Sequence, residues 1–66
     1  GMDDATETQL RAAQQKVARA AAKLARAIVA RDHIIKTTVA AGATRYAVAK
    51  VTGLTQPAVK KAVDRT

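Results

Sequence analysis

Sixty-six residues hold one small domain at most, and a chain this short buries only about 60% of its unfolded surface on folding. With no cysteine and Tyr46 as the only aromatic residue, disulfides and thiolate metal sites are excluded and the core must be aliphatic and thin, so reinforcement is expected from a second chain. Twelve Lys and Arg against five Asp and Glu give a formal charge of +7, which favours a polyanionic partner, nucleic acid before an anionic membrane.

The charge is unevenly placed. Asp3, Asp4 and Glu7 crowd the start, while all 12 basic residues and only two acids follow residue 8. No apolar run approaches the roughly 20 residues of a membrane-spanning helix, and an acidic start is not a signal peptide. Gly1-Met2 reads as an expression scar. The expectation is a cytoplasmic, nucleoid-associated protein without a membrane partner. His33 has no catalytic partner, Asp32 and Asp64 are too isolated for paired-carboxylate chemistry, and no phosphate-cradling loop is visible. Neither an enzyme, a cofactor, a metal nor a small-molecule substrate is expected.

The fold class read from the pattern is all-α: a long N-terminal helix, then a compact three-helix unit. Residues 1–8 are expected to be scar and frayed terminus, although Asp3 or Asp4 suits a helix N-cap. From about Thr6 to Ala41 there is no Gly or Pro, and the composition is rich in helix formers. Leu10, Val17 and Leu24 recur every seven residues. Ala13, Ala20, Ala27 and Ile34 follow each heptad position by three, and Ala21, Ile28 and Ile35 widen the stripe. Arg31 interrupts the large apolar series. A helix of about 35 residues is roughly 50 Å long, too long for so small a globule to wrap. Either it bends near Arg31-Asp32-His33, or residues 9–31 pair with another subunit. The second is preferred, and Leu10, Ala13, Val17, Ala20, Leu24, Ala27 and Ile28 are the expected dimer interface. Lys16, Arg19, Lys23 and Arg26 form a basic stripe roughly opposite, able to track phosphates.

Residues 32–66 are punctuated. Gly42 suits the left-handed residue after a helix. Thr44 suits the N-cap of a short helix, Arg45 to Val51. Thr52-Gly53-Leu54 reads as a tight turn, and Thr55 as the N-cap of a last helix from Gln56 to Arg65, with Pro57 in its first turn. The expected core is Ile34, Ile35, Val39, Val48, Ala49, Val51, Leu54, Val59, Ala62 and Val63.

Residues 45–64, RYAVAKVTGLTQPAVKKAVD, resemble the DNA-binding helix-turn-helix motif of small bacterial proteins. Ala49 is the small residue where two helices cross, Gly53 the turn residue able to take positive φ, and Leu54 and Val59 the apolar lock between the helices. Two positions depart from the pattern. Thr52 stands where many members have a larger apolar residue, a packing role expected to pass to Val51. Pro57 replaces the usual Ser, Thr or Gln, which thins base readout.

The resemblance implies that the last helix enters the major groove of double-stranded DNA. Thr55, Gln56, Pro57, Lys60 and Lys61 would then face bases, with Gln56 suited to adenine and Lys61 to guanine. Thr44, Arg45, Tyr46 and Arg65 would meet phosphates. The function expected is sequence-specific DNA binding by a dimeric transcriptional regulator or a plasmid or phage control protein. A non-specific architectural DNA binder and a helical protein-interaction module are the competing readings.

Overall fold

The computed structural model describes residues 1–65, and the expectations that reach Thr66 lie outside it. Three helices account for the architecture: α1 Asp4–Ala40, α2 Arg45–Thr52 and α3 Gln56–Asp64. The all-α expectation, a long helix leading into two short ones, holds.

Each boundary has a local cause. Asp3 caps α1 by accepting the Thr6 N–H at 2.8 Å, and Asp4 and Glu7 sit in the first turn, where the helix dipole favours negative charge. Residues 4–8, expected to fray, are therefore helical. Arg11 adds a one-turn ion pair with Glu7 at 2.7 Å. At the other end Gly42 takes a φ of 114°. Its N–H donates to Val39 O at 3.0 Å and the Ala43 N–H to Thr38 O at 3.2 Å, the paired bonds of a Schellman terminus.

Thr44 caps α2 by accepting the Ala47 N–H at 3.1 Å, and Thr55 caps α3 by accepting the Ala58 N–H at 3.2 Å. Pro57 occupies the first turn of α3, where no intrahelical partner awaits its nitrogen. Between them Gly53 ends α2 with a φ of 77°.

The three helices close over a very small core. Ile35 of α1, Val48 of α2 and Val59 and Ala62 of α3 are buried, with Val39, Ala43, Ala49, Leu54 and Val63 half-buried around them. Full burial of one Ile or Val contributes about 1.5–3 kcal/mol, so few side chains carry this unit. Two members of the expected core lie elsewhere. Ile34 is 63% and Val51 88% exposed, because α1 turns the neighbouring Ile35 inward and α2 turns Val48 inward. Nor does Val51 take over packing from Thr52. Instead the Thr52 hydroxyl donates to Val48 O at 2.8 Å and accepts the Leu54 N–H at 3.2 Å, closing the turn with hydrogen bonds.

Alpha-1 passes through residues 31–33 as one element. Its 37 residues, at about 1.5 Å each, match the 58 Å long axis of the molecule, which is only 17 by 16 Å across. No sharp bend fits those dimensions. What changes near residue 31 is burial: residues 1–27 are all exposed, Ile28 is half-buried, and Asp32 is the first buried side chain. The N-terminal part of α1 thus projects as a bare helix from the three-helix unit. No helix among the described residues is long and apolar enough to cross a membrane.

Candidate nucleic-acid interface

Alpha-3 has a sharply divided surface. Val59 and Ala62 point inward, with Ala58 and Val63 half-buried beside them, whereas Gln56, Pro57, Lys60, Lys61 and Asp64 are exposed. The cause is the 3.6-residue period: 59, 62 and 63 share one side, and 57, 60, 61 and 64 the other. The Gly53 turn fixes this helix against α2, so its polar side faces away from the core.

The turn also gathers residues from two elements. Arg45 at the start of α2 and Gln56, Pro57 and Lys60 of α3 line one shallow surface depression. Four of the nine expected DNA-facing residues therefore share a single place. Thr44 and Thr55 flank it as exposed caps. Their hydroxyl oxygens accept helix N–H groups, and each hydroxyl keeps its own proton to donate. Lys61 lies on the exposed side of α3 outside the depression, and Tyr46 is 63% exposed on α2, also outside it.

Two acids alter the electrostatics that the basic residues imply. The Lys60 ammonium lies 2.9 Å from the Asp64 carboxylate one turn later, on the same exposed side. An exposed pair of this kind is worth about 0–1 kcal/mol, so Lys60 can leave it for a phosphate or a base, but Asp64 remains a negative charge beside the site. The second acid is Asp32. It is 2% exposed, yet both its oxygens are satisfied. The Arg31 guanidinium donates to Oδ1 at 2.9 and 3.1 Å, and Arg65 Nη2 stands 3.5 Å from Oδ2.

Arg65, an expected phosphate contact, pairs with Asp32 and so links the end of α3 to α1, with more than half of its side chain still in solvent. Asp32 was overlooked as a structural residue. Its signal was its position, four residues after Ile28 and three before Ile35, which places a carboxylate on the inner face of α1.

The expected dimer residues have no cover. Leu10, Ala13, Val17, Ala20, Leu24 and Ala27 are all exposed, the three large ones by 54–61%, and Ile28 is half-buried. Lys16, Arg19, Lys23 and Arg26 are exposed along the same projecting helix. No protein-family model matches the chain, and neither does any curated protein or solved structure.

Proposed function

We propose that the protein binds double-stranded DNA sequence-specifically as a homodimer, with α3 lying in the major groove, and that it acts as a transcriptional regulator or a plasmid or phage control protein on the nucleoid. One observation carries the reading. The left-handed Gly53 turn holds α3 with its buried side on α2 and α1 and its opposite side, with Pro57, Lys60 and Lys61, exposed, while Gln56, Pro57 and Lys60 share one depression with Arg45. In this pose Gln56 and Lys61 address base edges, whose major-groove patterns distinguish all four base pairs. Arg45 and the first N–H groups of α2 address the backbone. The bare apolar row on α1 supplies the dimer contact, and two α3 helices then meet successive major-groove faces.

The stripe Lys16, Arg19, Lys23 and Arg26 supports a second reading, a non-specific architectural binder that uses charge alone. Competition binding separates the two. A labelled site selected by the protein should resist bulk duplex by roughly 10³-fold or more if α3 reads bases. Equal displacement by any duplex leaves the architectural reading.

A further inference from the structure

Two apolar surfaces of this molecule lack cover, and they are continuous. The heptad positions Leu10, Val17 and Leu24, with the alanines three residues after each, run along the bare part of α1. A strict seven-residue row drifts about 20° per heptad around a straight helix. Carried forward, it leaves the face that packs on α3 and emerges at Ile34 and Thr38. Ile34 is 63% exposed there, while its neighbour Ile35, packed against α2 and α3, is 3% exposed. Ile34 and Thr38 form one wall of an apolar groove whose other wall is Ala43, Ala47 and Val51. Val51, at 88%, is the most exposed of the large apolar residues. The row therefore ends in a groove.

We propose that the row and the groove are the two halves of one self-complementary surface, on which a second copy lays its α1 antiparallel, with the two-fold axis at Leu24. This rests on the dimeric reading above and adds its direction and register.

Antiparallel pairing about Leu24 sets Leu10 of each copy opposite Thr38 of the other, inside the groove beside Val51. It sets Val17 opposite Arg31, which accounts for the break in the apolar series. The Arg31 guanidinium is already held by Asp32 at 2.9 Å, so its aliphatic stem is free to cover Val17. Charge points the same way. A parallel pair would bring Asp3, Asp4 and Glu7 against their own copies and Arg31 against Arg31. The antiparallel pair carries the acidic ends toward the partner's α2, whose last turn holds Lys50. The core of each three-helix unit centres on Ile35, about three turns from Leu24. At about 1.5 Å per residue the two units then sit about 33 Å apart along the rod, close to one turn of duplex DNA.

The chain contains no cysteine, so single cysteines report the register directly. Leu24→Cys, Leu10→Cys and Thr38→Cys replace exposed side chains and leave the core intact. Each is oxidised mildly, alone and in pairs, with sedimentation run on the unmodified protein. The proposal expects Leu24→Cys to form covalent dimer, Leu10→Cys alone to give less than about a tenth as much, and the mixture of Leu10→Cys with Thr38→Cys to cross-link, because a disulfide needs its Cβ atoms about 4 Å apart. Val51→Lys should weaken dimerisation while leaving circular dichroism unchanged. Self-crosslinking of Leu10→Cys as strong as that of Leu24→Cys would show a parallel pair and overturn the proposal. A dimer by sedimentation that cross-links at neither Leu24 nor the mixed pair overturns the register alone. A monomer by sedimentation overturns the dimeric reading itself, without bearing on whether α3 reads DNA.

Discussion

Arg65 Nη2 reaches to within 3.5 Å of Asp32 Oδ2, joining the end of α3 to the C-terminal part of α1. Arg31 holds the other oxygen at 2.9 and 3.1 Å. A buried carboxylate is tolerated only with such partners, and here both are arginines that keep much of their length in water. This charge cluster sits where α1 meets the end of α3.

The two arginines should not be equivalent. Arg31→Ala removes the closer, two-bond partner of a buried charge and should destabilise the unit by about 2–3 kcal/mol. Arg65→Ala removes a longer, more exposed contact and should cost about 1 kcal/mol or less. Urea unfolding of the two variants checks the order. The reverse order would place the main support of Asp32 on α3.

Lys61→Ala should weaken a cognate duplex by about 1–3 kcal/mol and relax preference at one base pair. Asp64→Ala should act in the opposite sense, since it frees Lys60 and removes a negative charge next to DNA. Its gain should be about 0.5–1 kcal/mol and the same on every duplex. Fluorescence anisotropy on matched and mismatched duplexes measures both. A Lys61→Ala loss equal on all sequences would make that lysine a phosphate contact.

Gly53 has a φ of 77°, and a Cβ built there meets no atom within 4 Å. The penalty for substitution is therefore conformational rather than steric. Gly53→Ala should cost about 1–2 kcal/mol, Gly53→Val more because of its β-branch, and Gly53→Asn the least of the three. Thermal melts rank them. Equal losses for Asn and Val would mean that crowding, not the dihedral, sets the cost.

Leu24→Asp places a charge in the centre of the exposed row and should leave a folded monomer, since Leu24 is 61% exposed and takes no part in the core. Sedimentation should show the mass of one chain, and circular dichroism should keep α2 and α3. A dimer of unchanged affinity would move the interface off this row.

The start of α1 should respond to acid. Asp3 is held below the ordinary carboxyl value of 3.8 chiefly by its side-chain hydrogen bond with Thr6. A carboxyl lowered in the folded state stabilises it above the unfolded value, and that support is lost as pH falls through the folded one. Helicity at the N-terminus should therefore fall below pH 3.8, with the Thr6 amide losing protection from hydrogen exchange first. Asp3→Asn, which still caps, should flatten that dependence.

The helices were legible in the chain because their signals are local. Thr44 and Thr55 cap, Gly42 and Gly53 turn, and Pro57 sits where its missing N–H does no harm. The division of α3 into a buried and an exposed side was legible for the same reason, since its period alone separates Val59 and Ala62 from Lys60 and Lys61. What escaped was everything that depends on the register between helices. Ile34 and Ile35 look equally apolar in sequence, and only the placement of α2 and α3 decides that the second is buried. Val51 was assigned packing that the Thr52 hydroxyl makes unnecessary. The burial of Asp32 escaped because one of its two partners, Arg65, lies at the far end of the chain.

Selection of bound duplexes from a random pool tests base reading by a dimer of this chain most sharply. An enriched inverted repeat is expected, with half-sites about 10–11 base pairs apart, centre to centre. A bound pool no different in sequence from the input would refute base reading by α3.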